Sequence, residues 1–358
     1  MTVFSHPEFD QHEQICYFHE RNSGLKAIVA IHNTSLGPAL GGTRMYPYAT
    51  DDEALTDVLR LSRGMSYKSA MARLPLGGGK SVIIGDPAKD KHPALWQAFG
   101  ECLNRLGGLY TAAEDSGITV DDIKQVHSVT DHVTGFRDKA DVQGNARNGE
   151  PSPATAYGCY MGIRAAVEFR LNLTSLNGLT IGIQGLGSVG YRLARLLVGG
   201  GARLIVSDVN AQVLAQARDE LDAKVVSPDE LVDQPMDVFA PCALGATITP
   251  ETLARLQAPI IAGAANNQLD APETGHIIDQ RGICYAPDYV INAGGIIDVY
   301  HERSGRYDPE KVNNHVETIH DNLMEIFSRA QREQRPTSEL ADAIARERLA
   351  EGREKSIL

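Results

Sequence analysis

Several residue groups in this 358-residue chain have types and spacings that could do chemistry. The first is Gly185-Leu186-Gly187-Ser188-Val189-Gly190, a G-x-G-x-x-G directly after the apolar stretch Thr180-Ile181-Gly182-Ile183-Gln184. Gly185 permits a tight turn, Gly187 lets the backbone approach a pyrophosphate, and Gly190 lets a helix pack closely on the preceding strand. The helix beginning there (Tyr191, Leu193, Ala194, Leu196, Leu197) would point its free N–H groups at the anion. A second apolar stretch, Arg203-Leu204-Ile205-Val206-Ser207, ends at Asp208. That is about where such an arrangement holds a carboxylate for an adenosine ribose 2′-OH. Strand, glycine turn, helix, strand and terminal acid in this order predict a dinucleotide site. The alternative is a glycine turn in some other doubly wound sheet.

A second group is Gly77-Gly78-Gly79-Lys80-Ser81. It is not a phosphate loop, because that motif needs a glycine where Leu74 stands. A lysine in a glycine turn has close backbone walls and little water, conditions that favour the neutral amine and suit a general base. A solvated loop lysine is the equal alternative on spacing alone. Asp115 follows the apolar stretch Tyr110-Thr111-Ala112-Ala113 and precedes Gly117, a place for a polar group facing a cleft or for a turn aspartate. Lys68 sits just past an expected helix end, where the helix dipole favours a cation in any case. The eleven histidines include no H-E-x-x-H and no ligand-like cluster, so no metal is expected and most are read as surface residues. Ser152, between Pro151 and Pro153, lacks a hydrolase elbow.

These groups require positioning elements. Gly24–His32 reads as a buried strand, and Thr50-x-x-Glu53 as a capping box ahead of a helix bearing Ala54, Leu55, Val58, Leu59 and Ser62. That helix is expected to end near Gly64–Lys68, with Leu76–Lys80 as a turn and Ser81–Ile84 as the next strand. Leu95–Leu106 reads as a helix. Gly135–Pro153 is polar and rich in Gly and Asn, and reads as a loop or linker near a domain boundary. From Thr180 onward strands (Leu204–Ser207, Val225-Val226, Val238–Ala240, Ile260–Ala262, Ile283–Tyr285) alternate with helices, which predicts a parallel sheet covered on both faces. The charged tail from Pro309 reads as helical.

Composition bounds the rest. The length suits about two domains. With 42% hydrophobic and 22% charged residues the chain reads as soluble and globular. A net charge of −12 without basic runs argues against a nucleic-acid partner. The five scattered cysteines form no C-x-x-C and read as buried free thiols in a reducing compartment. No signal-like start and no membrane-length apolar run are seen, so the protein is expected to be cytoplasmic.

Taken together, several stretches resemble one family, the amino-acid dehydrogenases acting on glutamate, leucine, phenylalanine and valine. They are Gly37–Met45, Arg63–Lys68, Leu76–Lys80, Ala113-Glu114-Asp115, Pro151–Gly158, the glycine fingerprint, Ala240–Gly245, Ala264–Leu269 and Pro287–Gly295, collinear over nearly the whole chain. The resemblance is greatest to leucine and valine enzymes. It implies an N-terminal α/β substrate domain (1–135, with 336–358 returning to it) and a Rossmann-type doubly wound NAD-binding domain (136–335). The implied reaction is reversible NAD-dependent oxidative deamination: hydride leaves the amino-acid Cα for the nicotinamide, water attacks the imine, and ammonia departs from the 2-oxo acid. Aromatic amino acids are the alternative substrate class. A non-catalytic NAD-binding protein is a third reading, and a hydroxy-acid dehydrogenase is disfavoured because its usual His–carboxylate pair is replaced here by lysines.

By the same resemblance, Lys68 binds the substrate carboxylate, Lys80 activates water and Asp115 shuttles protons. Leu40, Ala113, Ile296 and Val299 would form the side-chain pocket, with Gly41 and Asn267 also at the substrate. Thr155, Cys242, Ala243 and Asn266 would join Gly185, Leu186, Gly187, Ser188, Val189, Gly190 and Asp208 around NAD. Glutamate-specific relatives carry a lysine where Leu40 stands. Ser116 and Asp298 depart from the pattern common in leucine enzymes. A homo-oligomer, a dimer or an assembly of dimers, is implied.

Overall fold

The computed structural model describes residues 2–141, 146–303, 305 and 307–357. Residues 142–145 of the expected linker and residue 358 of the expected returning tail lie outside the described residues. The chain divides into two units, Met1–Glu150 with Val299–Pro309 and Ala345–Leu358, and Pro151–Asp298 with Glu310–Ile344.

The first unit is a five-stranded mixed sheet. Its elements are β1 (Gln14–Glu20), β2 (Leu25–Asn33), β3 (Ala39–Tyr46), α1 (Asp51–Met71), β4 (Gly77–Ile84), α2 (Pro93–Arg105), β5 (Tyr110–Glu114) and α3 (Val120–His127). The strand order is β1-β2-β4-β3-β5. β3 runs parallel to both β4 and β5, and β2 is antiparallel to β1 and β4. β2 shows why a continuous apolar run makes a strand here. Ile28 and Ala30 face α1 with Leu55, Val58 and Leu59, while Leu25, Ala27, Val29 and Ile31 face α2 with Trp96, Phe99 and Leu103. A strand buried on both faces has no polar side to alternate.

Two expectations change in this unit. α1 does not stop at Gly64 but runs to Met71. Nothing lies within 4 Å of where a Gly64 Cβ would be, so the glycine sits on an open face and costs the helix only backbone entropy. Lys68 is therefore in the last turn of α1. The Gly77–Gly79 stretch is not a turn but the start of β4, and none of the three has positive φ. They are glycines because the strand is crowded: a Cβ on Gly77 would overlap Asn33 O, and one on Gly78 would overlap Ser66 N of α1. The N-cap of α1 is also half a box. Thr50 accepts from Glu53 N at 3.1 Å, but the Glu53 carboxylate accepts from Ala49 N at 2.9 Å instead of from Thr50.

The first unit extends past residue 135. Two short strands, β6 (Lys139–Ala140) and β7 (Ala146–Arg147), pair antiparallel. Glu302 Oε1 accepts the backbone N–H groups of Gly135, Phe136 and Arg137 at 2.8, 3.0 and 3.2 Å, and Oε2 pairs with Lys139 Nζ at 2.6 Å. Both side chains of this pair are buried. The polar stretch expected to be a linker is thus tied down by a carboxylate distant in sequence.

The second unit begins with α4 (Ser152–Leu171). It continues with β8 (Thr180–Gln184), α5 (Ser188–Gly199), β9 (Arg203–Ser207), α6 (Ala211–Leu221), β10 (Lys224–Val225), α7 (Pro228–Leu231), β11 (Val238–Pro241), α8 (Pro250–Arg255), β12 (Ile260–Ile261), α9 (Thr274–Gln280), β13 (Cys284–Tyr285) and α10 (Asp288–Ile291). All six strands pair in parallel in the order β10-β9-β8-β11-β12-β13. This is the doubly wound arrangement whose order reverses beside its first strand, here β8. Its core includes Ile205, Leu231, Phe239, Ile261 and Tyr285.

Three helices complete the chain: α11 (Gly294–Arg303), α12 (Pro309–Glu333) and α13 (Thr337–Ile357). Within the first unit, the end of α13 is held from Ala345 onward, later than the expected residue 336. Arg346 Nε donates to Tyr67 OH at 2.9 Å, and Arg348 Nη1 donates to Ala70 O and Met71 O at 3.2 and 3.0 Å. Those carbonyls lie in the last turn of α1, at the negative end of its dipole, so a cation suits them. All five cysteines are free; Cys102, Cys159 and Cys284 are buried, Cys16 and Cys242 half-buried. His6, His12 and His32 are buried exceptions to the expected surface placement of histidines. Among the described residues no metal-holding group of His, Cys, Asp or Glu occurs, and no helix is long and apolar enough to cross a membrane.

Candidate active site

In the first unit, three neighbouring parallel strands bring Lys80 and Asp115 together. Lys80 lies in β4, Asp115 just beyond β5, and β3 runs between them. Lys80 Nζ contacts Asp115 Oδ2, with the lysine buried and the carboxylate half-buried. The two can meet because β3 carries glycine at the crossing. A Cβ on Gly42 would lie 2.8 Å from Asp115 Cβ and 3.0 Å from Lys80 Nζ, and one on Gly41 would overlap Gly79 O. The close backbone walls read from the sequence are present, but they belong to strands, and the lysine faces a carboxylate. Tyr110 OH buttresses this floor, donating to Gly41 O at 3.0 Å and lying 3.0 Å from Ser81 Oγ.

A third charge joins the pair. Arg44 of β3 places Nη2 3.4 Å from Asp115 Oδ2. Its Nη1 donates to Asp57 Oδ1 and Oδ2 at 3.1 and 2.9 Å, and Tyr48 OH donates to the same Oδ2 at 2.6 Å. Burial would push the Asp115 carboxyl up, but Lys80 and then Arg44 outweigh it and hold it at about 2. Asp115 is therefore a carboxylate at working pH. Both cations meet its Oδ2, and a backbone hydrogen bond from Ser116 also favours the charged form. Next to it, burial and then Glu150 and Asp115 push Glu114 up to about 7.

The other substrate-site candidates divide between the units. Leu40 and Gly41 lie in β3 and Ala113 in β5, all buried. Ala113 Cβ and Val299 Cγ2 each stand 3.7 Å from the position of a Gly135 Cβ, so these two flank one glycine. Lys68 is two residues past Ser66, where α1 touches Gly78 of β4, and Lys80 is two residues past Gly78. Ile296 and Asn267 belong to the second unit, Asn267 with a left-handed φ of 50°. Of the departures, Asp298 is buried in the second unit and Ser116 exposed in the first.

In the second unit the glycine fingerprint has three separate reasons. Gly185 has a φ of 95°, which a side chain disfavours. Gly190 packs where a Cβ would overlap Gly185 O, so α5 meets β8 closely. Gly187 has nothing within 4 Å of its missing Cβ, which leaves an open cradle at the N-terminus of α5. That terminus has no side-chain cap, so its N–H groups remain for an anion. Asp208, after β9, accepts Leu186 N at 2.6 Å and Asn210 N at 2.8 Å, which fixes its carboxylate beside the glycine turn. Leu186 is buried, Ser188 exposed and Val189 half-buried. Beyond β11, Cys242 N donates to Gln184 O at 2.8 Å, and Ala243 Cβ lies 2.7 Å from a would-be Gly185 Cβ, so both border the turn. Thr155 Oγ1 donates to Pro151 O at 3.1 Å in the first turn of α4. Asn266 accepts from Asn292 Nδ2 at 2.7 Å.

Sequence reasoning assigned no role to Gly42, Arg44, Asp57 or Tyr48. The signal available was the Gly41-Gly42-Thr43-Arg44 run, whose residues the parallel register aligns with β4 and β5.

Two family models match the chain. Residues 12–132 match the family model described as Glu/Leu/Phe/Val dehydrogenase, dimerisation domain. Residues 210–356 match the model for Glutamate/Leucine/Phenylalanine/Valine dehydrogenase. Over 98% of its length the chain is 49% identical to leucine dehydrogenase of Geobacillus stearothermophilus, covering 94% of that protein. It is 40% identical to phenylalanine dehydrogenase of Caldalkalibacillus thermarum, over 98% of this chain and 94% of that one. The crystal structure of L-tryptophan dehydrogenase from Nostoc punctiforme superposes with a TM-score of 0.84 at 41% identity, covering 96% of this chain and 97% of that one. The chain belongs to the glutamate/leucine/phenylalanine/valine dehydrogenase family of amino-acid dehydrogenases.

Proposed function

We propose that this enzyme oxidatively deaminates branched aliphatic L-amino acids (leucine, valine, isoleucine) with NAD, reversibly, giving the 2-oxo acid, ammonia and NADH. The observation that carries the reading is the Lys80–Asp115 pair on the glycine floor of β3. The first unit takes the amino acid and the second the dinucleotide. The residues of the second unit suit NAD: an open cradle at Gly187, an uncapped helix start and a fixed carboxylate at Asp208. These residues would hold NAD, which would supply the acceptor for the hydride lost from the substrate Cα.

The chain's own residues do the rest. Lys68 pairs with the substrate carboxylate, a charge-assisted contact. Lys80, as the free amine, takes a proton from the water that adds to Cα. Asp115 is too acidic to be a resting proton donor, so it works with Lys80, passing the proton to the amino nitrogen as ammonia leaves. Leu40, Ala113 and Val299 offer an apolar side-chain site in the first unit. Thr155, Asn266 and Asn267 serve the nicotinamide end and the substrate. A family model named for dimerisation supports a homo-oligomer, and five free thiols support a cytoplasmic setting.

An aromatic substrate is the second reading, favoured by the phenylalanine and tryptophan relatives. The test of the reaction class is stoichiometry. NADH formed with leucine should be matched one to one by ammonia and 2-oxo acid. NADH formed from a 2-hydroxy acid without ammonia would overturn it.

A further inference from the structure

We propose that Arg44, anchored by Asp57 and Tyr48, is a positioning residue that keeps Asp115 ionised and oriented when Lys80 gives up its proton. The inference rests on the reading of Lys80 and Asp115 as the proton-handling pair.

Asp115 Oδ2 touches two cations, Lys80 Nζ and Arg44 Nη2, the latter at 3.4 Å. To activate water, Lys80 must be the neutral amine. At that moment it no longer neutralises Asp115. A bare lysine–aspartate pair would then trap a proton between its two members. Arginine does not lose its proton in this range, so its charge stays beside the carboxylate throughout the cycle.

The orientation follows from the anchor. Both oxygens of Asp57 on α1 hold Nη1, at 3.1 and 2.9 Å, and Tyr48 OH fixes one of them at 2.6 Å. The planar guanidinium then has one direction left for Nη2, towards Asp115. Asp57 also balances the Arg44 charge. Arg44 Nε is buried and no described residue accepts from it, which is a cost the arrangement carries. The charged and titratable groups around Asp115 are Lys80 from β4, Arg44 and Tyr48 from β3 and the loop after it, and Tyr110 and Glu114 from β5.

The test is the pH profile of kcat for leucine deamination in full-length variants. The proton shared by the pair must leave before water is activated, and a nearby guanidinium favours its departure. Arg44→Gln should therefore move the acid limb upward by about one pH unit, the low end for an opposite charge near a carboxylate. On the acid side this is about a tenfold lower rate. Arg44→Lys, which keeps the charge without the fork, should return the limb towards wild type while recovering only part of kcat. A merely structural role would lower kcat equally at every pH, with no lysine rescue, and that result overturns the proposal. Should Arg44→Gln fold poorly, Asp57→Asn decides: kcat should fall with Arg44 intact, and an unchanged kcat overturns the anchoring. Asp115→Asn separates the two layers. Near-normal turnover there sinks the proton-pair reading itself. Lost turnover there with an unshifted Arg44→Gln profile sinks only the role of Arg44.

Discussion

At the scale of single residues, two side chains share a charge environment and differ in proposed task. Lys80 is buried against a carboxylate on a floor with no side chain between them. Lys80→Ala should leave NAD affinity, read by fluorescence titration, nearly unchanged, because no dinucleotide-site residue is touched. Turnover should fall by about 10²–10⁴-fold, the usual cost of losing a general base. Near-normal turnover would rule the base out. Glu114 gives a pH signature of its own. Burial, with Glu150 and Asp115 nearby, pushes its carboxyl from 4.5 to about 7 in the folded protein. A folded value above the unfolded one means its favourable contribution is full below about 4.5 and is lost as pH rises through about 7. Glu114→Gln should therefore gain Tm relative to wild type at pH 9 compared with pH 5. An equal difference at both pH values would contradict the placement. Lys80 and Asp115 were legible as candidates because a lysine among glycines and an acid after an apolar run are local signals. Arg44 was not, because its partners Asp57 and Asp115 come from other elements and only the sheet register brings them to it.

At the scale of elements, the second unit was the more legible. Parallel strands alternating with helices announce themselves locally, and the glycine turn, α5 and β9 occur in the expected order. The first unit was less so, for a reason Gly77–Gly79 make plain. Glycine marks either a turn or a close approach, and nothing local separates the two; here Ser66 of α1 and Tyr110 of β5 crowd the strand. Gly64 misled in the same way, since an open helix face tolerates it. The polar stretch after 135 read as a linker because Glu302, which collects its N–H groups, is far away in sequence. The end of β9 carries a prediction at this scale. Asp208 is held beside the glycine turn by Leu186 N and Asn210 N, and Val209 and Asn210 bring no compensating cation. If Asp208 meets the ribose as proposed, its carboxylate would accept a 2′-OH and repel a 2′-phosphate. NAD should exceed NADP strongly in kcat/KM. Comparable values would mean that Asp208 is not at the ribose.

At the scale of the whole molecule, the proposed reaction is joined to a substrate class. Leu40 and Ala113 of the proposed side-chain site are apolar and buried, and the proposal gives it no cation to meet a substrate side-chain carboxylate. Burying that carboxylate unpaired costs several kcal/mol, so glutamate should fail. Discrimination among apolar substrates is gentler, about 1–3 kcal/mol per methylene, so some aromatic turnover is compatible with the account. The most direct measurement is kcat/KM with NAD for leucine, valine, phenylalanine, tryptophan and glutamate under one set of conditions, read by NADH absorbance. Leucine and valine should lead, with aromatics behind and glutamate inactive. Phenylalanine or tryptophan above leucine and valine would contradict the substrate assignment, and glutamate in the lead would contradict the role of Leu40 as well.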